Sequence, residues 1–329
     1  MEKSKTIGKK SKILDEMRTV MRRRHYSIRT EKAYCDWVRR YILHFNMKSR
    51  EDLSSGEKKI EQFLSFLACE RNVAVSTQNQ ALNALVFLYK HVLKQPLNEK
   101  INAERPAKKV KIPVVLTRDE TKRIISAMTG IHQLVVKLLY GSGLRIIECL
   151  RLRVQDIDFA MKALTVRSGK GDNDRITTLP PSMKEPLEVH LEYVRLVHER
   201  DTANGYGEVY LPNALAREYP NAGKKWQWQY VFPAQGLSTD PRTGKVRRHH
   251  LDPSPINKAI GKAVRIADVH KQVSAHTFRH SFATDLLRRG TDIRTIQSLL
   301  GHKDVRTTMI YTHVLQQGGD GVLSPLEDL

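Results

Sequence analysis

From Gln95 to Pro113 the helical periodicity of the preceding chain breaks off. Pro96, Pro106 and Pro113 punctuate a charged, apolar-poor stretch that also holds Lys108, Lys109 and Lys111. Proline lacks the backbone donor and clashes with the turn before it, so a helix does not run through such a segment. At 329 residues the chain is also longer than one ordinary core organises. The expectation is a helical domain over residues 1–94 and a second domain over 114–329, joined by a linker over 95–113.

In the first domain apolar residues recur at helical spacing. Met17, Val20 and Met21 form one stripe, and Tyr34, Trp37, Val38, Tyr41, Ile42 and Phe45 form another. A third helix is predicted over 57–68 and a fourth over 77–93, with Leu82, Leu85, Val86 and Tyr89 inward. Four helices with short connections read as a small bundle. Ahead of it, Met1 to Lys12 carries five lysines and one glutamate and reads as a mobile basic lead-in. Arg22, Arg23, Arg24, Arg29, Arg39 and Arg40 decorate the first half, either as a solvated face or as a surface for a polyanion.

Charge favours the polyanion. Lysine and arginine number 56 against 35 acidic residues, a net of +21, which points to nucleic acid before any other partner. An anionic membrane is the rival, but no apolar run approaches the roughly 18 residues of a span and no signal-peptide pattern opens the chain. Lys108, Lys109 and Lys111 suit a linker lying along DNA better than a nuclear-localisation run. Cys35, Cys69 and Cys149 lie far apart without a Cys-x-x-Cys pair, the usage of reduced thiols in a cytoplasmic protein.

The second domain opens on Thr117, with Glu120 at the capping-box position. Its densest chemistry lies between His276 and His313. Phe278, Phe282 and Leu286 recur every four residues, an amphipathic helix stopped by Gly290. Asp292 caps a second helix that ends at Gly301, and Asp304 caps a third that contains Tyr311. His276 and Arg279, three apart, share a helix face. The ends of three short helices thus present His276, Arg279, His302 and Tyr311. An arginine fork suits phosphate oxygens, and histidine moves protons near neutral pH. Tyrosine, with a pKa of ~10, attacks only with help from cations or a base.

Upstream, Arg145 stands between Leu144 and Ile146 after Gly141-Ser142-Gly143, where a charge requires an anionic partner; Glu148 is the nearest. Residues 163–167 and 175–179 are β-prone runs around a glycine-flanked tip at Lys170, a hairpin. His276 and His280 have the spacing of a zinc pair, yet residue 277 is threonine rather than glutamate and no third ligand adjoins. No metal is expected.

His-x-x-Arg, then Leu-Gly-His, then Tyr nine residues after that His resembles the C-terminal signature of the tyrosine recombinases. The resemblance extends to Arg145 in Gly-x-Arg-x-x-Glu and to Lys170 on its hairpin, six positions in order across the second domain. It implies a mainly α fold with a small β-hairpin or sheet (α+β), built as a two-domain C-shaped DNA clamp. It further implies that Tyr311 is the nucleophile forming a 3′-phosphotyrosyl link, that Arg145 and Arg279 grip the phosphate, and that Lys170 protonates the leaving 5′ oxygen. His276 is then the proton acceptor and His302 a donor to the phosphate, and the reaction uses no metal, ATP or other cofactor.

An insertion over about 201–250 departs from a minimal recombinase. It contains Trp226-Gln227-Trp228-Gln229-Tyr230-Val231-Phe232-Pro233 and then Arg247, Arg248, His249 and His250. Aromatic residues beside cations stack unpaired bases, although they also cover core edges. This run and the tail from Gly321 to Leu326 resemble the integron integrases, which recombine gene cassettes at folded single-stranded sites with extrahelical bases. Trp226, Trp228, Arg247, Arg248, His249 and His250 are the DNA-binding candidates there. The resemblance implies a homo-tetramer on DNA, tails over 314–329 exchanged between protomers, both a folded cassette site and a duplex integration site as partners, and a cytoplasmic place on the bacterial nucleoid. A chromosome-dimer-resolving or phage-type recombinase acting on duplex sites is the alternative. A type IB topoisomerase leaves the insertion and tail unexplained, and a non-catalytic DNA-binding protein would lack part of the constellation.

Overall fold

The computed structural model describes residues 3–97, 101–104, 113–167, 174–211 and 213–317, with backbone alone at 3–12, 213–214, 216 and 313–317. The chain divides into two compact units, Met1–Val110 and Lys111–Leu329.

The first unit packs α1 (Lys3–Arg23), α2 (Ile28–His44), α3 (Gly56–Cys69) and α4 (Val75–Phe87), the last continued by a π-helical turn over Leu88–Leu93. α1 extends through the lysine-rich lead-in expected to be mobile; lysine is a good helix former and no proline stands between Lys3 and Arg23. Ser27 caps α2 by accepting from the Thr30 amide. Met17, Met21, Val38, Tyr41, Ile60, Leu64, Leu85 and Leu88 are buried in one core. Tyr41 and Tyr89 share a hydrogen bond inside it, and Tyr89 donates to the Leu53 carbonyl, so both hydroxyls are satisfied. Residues 101–104, expected within the linker, are tied to this unit: Ile101 and Ala103 pack on its core, and the Glu104 carbonyl accepts from Gln78.

The second unit contains α5 (Arg118–Ser126), α6 (Gly130–Ser142), α7 (Ile146–Leu150), α8 (Lys184–Ala203), α9 (Asn213–Glu218), α10 (Pro253–Ile266), α11 (Ala275–Arg288), α12 (Ile293–Leu300) and α13 (Arg306–Gln317). The Thr117–Glu120 capping box at the start of α5 forms on both sides. Strands β1 (Ile157–Asp158), β2 (Ala163–Val166) and β3 (Arg175–Thr178) make an antiparallel sheet, with Val166 opposite Arg175 as the strand pair nearest the tip of the expected hairpin. β4 (Pro233–Thr239) and β5 (Val246–His250) form a separate antiparallel pair. α11 packs against α6, and α12 and α13 pack against α11.

The insertion is bound into the unit rather than appended to it. Val231 and Phe232 lie in the main core with Leu138, Leu164 and Ile260. Arg153 donates to the carbonyls of Trp228 and Tyr210, and its guanidinium sits 3.6 Å over the Tyr230 ring. Buried Gln229 donates to the Gly223 carbonyl, and buried Arg248 clasps Asp201 and reaches the carbonyls of Ala234 and Gln235.

Candidate active site

The site begins where α6 stops. Gly143 takes φ +63°, and a Cβ there would meet the Phe282 ring at 2.4 Å, so only glycine turns the chain this tightly against α11. Two residues later Arg145 stands at the N-cap of α7. Its amide donates to Glu148 Oε2 at 2.8 Å and its guanidinium to Glu148 Oε1 at 2.6 Å. Arg175, from the start of β3, forks onto the same carboxylate at 3.1 and 2.6 Å, and Arg279 approaches it to 3.7 Å. One buried carboxylate therefore meets three arginines. Burial pushes its pKa up, but the Arg175 and Arg145 guanidiniums outweigh that and hold it at about 2.

Arg279 is buried on α11 and donates to the carbonyls of Gly143 and Leu300. Burial, then the charge of Arg145, brings its pKa down to about 9, so it remains a cation at neutral pH held ready for an anion. A guanidinium has five N–H donors, so those carbonyls leave others to offer. Its Nη2 also lies 3.2 Å from His302 Nε2. Arginine only donates, so that nitrogen accepts and His302 Nδ1–H faces Thr308 Oγ1 at 3.0 Å. His302 thus supports Arg279 here; the expected donation to a phosphate from Nε2 needs the other tautomer.

Tyr311, on α13, is 1% exposed. Its ring stacks on His302 at 15° and its hydroxyl shares a 3.0 Å hydrogen bond with His280 Nδ1. Burial raises the Tyr311 pKa while Arg279 and Arg145 pull it down. Burial and neighbouring cations depress His302 to about 4; burial, His276 and Arg279 depress His280 to about 4. His276 is exposed, with its ring 6.1 Å from that of His280 and its pKa lowered by the surrounding protein and by Arg279.

Arg145, Arg279, His302 and Tyr311 are thus brought together, with His276 at the edge, and Lys170 lies outside the described residues. His276 and Arg279 share a helix yet differ in burial, because Arg279 turns under Gly143 and Leu300. Arg175 and His280 are additions. A carboxylate accepts several bonds, so a second arginine on Glu148 was open to inference; His280 stood out only as half of a discarded zinc pair.

Among the insertion candidates, Trp226 packs on His198 under the Arg195 guanidinium, and Trp228 is half-buried. Arg247 pairs with Glu208 and Asp240, and Arg248 and His250 are buried. The two arginines hold the insertion together, Arg248 by its clasp on Asp201, while His249 is exposed beside Tyr230.

Residues 114–317 match the phage integrase family, and residues 13–99 match the phage integrase N-terminal SAM-like domain. An integrase/recombinase of Escherichia coli is 49% identical over 320 residues, covering 97% of this chain and 94% of that one. The tyrosine recombinase XerA of Thermococcus onnurineus is 30% identical over 309 residues, covering 92% and 91%. In fold, the chain is similar to a lambda integrase dimer bound to a COC′ core site, with a TM-score of 0.57 at 17% identity over 92% of this chain and 94% of that one. With a family match over most of its length and a near relative end to end, the chain belongs to the phage integrase family and is a site-specific recombinase of the tyrosine type.

Proposed function

We propose that this recombinase exchanges DNA strands through a 3′-phosphotyrosyl link to Tyr311, with Arg145 and Arg279 holding the scissile phosphate. The observation that carries the reading is the placing of the Tyr311 hydroxyl, bonded to His280 and flanked by Arg279 and Arg145, on the helix next to the His302 turn. Cations preorganised beside an attacking oxygen stabilise the charge that develops on phosphate oxygens, without reorganisation at the moment of reaction. Lys170 supplies the proton to the departing 5′ oxygen. The 5′ hydroxyl of a partner strand reverses the step, so bond energy is conserved. The basic excess and the DNA-bound lambda relative support DNA as the partner. Denaturing gels on a nicked suicide duplex test this: wild type leaves a covalent adduct and Tyr311→Phe leaves none, whereas an adduct with Tyr311→Phe overturns the reading.

The finer reading is an integron integrase acting on folded single-stranded cassette sites and on a duplex integration site, as a tetramer with exchanged tails. Its support is the wording of 226–233 and of the tail 321–326, together with half-buried Trp228 and exposed His249 in the insertion. The tail lies outside the described residues. Binding to top-strand, bottom-strand and duplex forms of a cassette site tests it. A preference for one folded strand supports it; a preference for duplex favours the alternative of a Xer-type or phage-type enzyme.

A further inference from the structure

We infer that His280 is a catalytic residue, the base that takes the Tyr311 proton; this rests on the reading of Tyr311 as nucleophile. Three histidines belong to this site, two of them against that tyrosine, and their geometry separates them. His302 lies face-on to the Tyr311 ring, with its nitrogens directed at Arg279 and Thr308. His276 is exposed and faces the His280 ring. His280 alone among the three points a ring nitrogen at the reacting oxygen, 3.0 Å from Tyr311 Oη, within the range for proton transfer. The groups facing His280 are His276 and Arg279 on its own helix, Tyr311 on α13 and His302 on the preceding turn. Burial first, then His276 and Arg279, keep it neutral at rest, the state in which Nδ1 is an acceptor.

The step balances without another reactant. As the Tyr311 oxygen forms its bond to phosphorus, its proton passes to Nδ1 and His280 becomes an imidazolium. The phosphorus–O5′ bond breaks, and the O5′ takes its proton from a separate donor. In the joining step the 5′ hydroxyl attacks, the tyrosyl oxygen leaves, and His280 returns the proton to it. The anionic phosphate that enters the site favours the imidazolium electrostatically. An arginine pair raises the electrophile, but it does not remove the proton of a buried tyrosine.

The test uses the full-length protein on a nicked suicide duplex whose sequence wild type selects from a randomised pool. A second version of that duplex carries sulfur at the bridging 5′ position, a leaving group that needs no protonation. His280→Asn puts an amide oxygen near the Nδ1 position and keeps an acceptor for Tyr311 without a base. Single-turnover adduct formation is expected to fall about 100-fold on both duplexes, with affinity and melting temperature retained. His280→Ala is expected to fall as far and to regain part of its rate from added imidazole. Wild-type or faster cleavage in both variants makes the bond a restraint on Tyr311 and overturns the assignment. Recovery on the sulfur duplex moves His280 to the leaving group and equally overturns it. An adduct in Tyr311→Phe would instead remove the nucleophile reading beneath it.

Discussion

Arg175 and Arg279 donate to consecutive carbonyls, Arg175 Nε to Leu299 at 2.9 Å and Arg279 Nη2 to Leu300 at 2.6 Å. Two cations thereby hold the last turn of α12, just before Gly301 reverses the chain at φ +63° and presents His302. Carbonyls at a helix C-terminus lack intrahelical partners and carry partial negative charge, so arginines suit them. Both arginines also face Glu148, which joins the β3 end of the hairpin to the α6–α7 corner.

Arg175→Lys keeps a charge but loses the fork onto Glu148 and the bond to Leu299. Cleavage by this variant should drop about tenfold or more with DNA affinity nearly unchanged. Arg175→Ala should also lower stability by about 3 kcal/mol, since it removes one partner of a buried ion pair. Chemical denaturation and single-turnover cleavage separate the two effects; wild-type values in both would mean that Arg145 alone suffices for Glu148.

The phosphate clamp predicts a different split. Arg145→Lys and Arg279→Lys should reduce cleavage by at least 100-fold while weakening binding only a few-fold, because planar donation is used most in the transition state. Arg279→Lys should in addition destabilise the fold, as lysine cannot span the carbonyls of Gly143 and Leu300 together. Cleavage and binding that fall in parallel would show a role in general affinity.

Acid should weaken the second unit in two stages. His250, His280 and His302 are each held near 4, below an ordinary value of 6.5. The unfolded chain then binds protons first, so stability falls as pH drops from 6.5 toward 4. Glu148 acts lower: held at about 2 against an ordinary 4.5, it contributes fully above 4.5 and its contribution is lost as pH falls toward 2. Melting temperature against pH checks both stages. His302→Gln should flatten the upper one, and Glu148→Gln, destabilised at pH 7, should converge on wild type near pH 2.

What was legible in the sequence follows from physical range. Helix caps are local, and Thr117, Asp292, Gly290 and Gly301 announced their ends from neighbours a few residues away. Arg145 and Glu148 are three apart, so their pairing was readable too. Arg175 meets Glu148 across 27 residues and His280 meets Tyr311 across 31, contacts that no periodicity encodes. The burial of Arg248, within the basic run of the insertion, was hidden for the complementary reason. Arg248 reads as surface charge until Asp201, 47 residues earlier, closes on it and takes it into the interior.

The insertion also holds the decisive test of the finer reading. Trp228 is half-buried on a 3-10 turn over Trp226–Trp228, and its carbonyl is fixed by Arg153. Trp226 packs on His198, so truncating it would disturb the fold, whereas the Trp228 backbone anchor survives loss of its ring. Base–aromatic stacking is worth roughly 1–3 kcal/mol per base. If Trp228 stacks on an extruded base, Trp228→Ala should weaken binding to a bulged single-stranded hairpin by about ten- to a hundredfold. Binding to a fully paired duplex site should change little, because no base is extruded there. His249→Ala, at an exposed position of β5, should show a smaller loss with the same preference. Gel-shift titrations on hairpins with and without the bulged bases give the answer. Equal losses on both would make Trp228 a packing residue and leave the chain a recombinase of duplex sites.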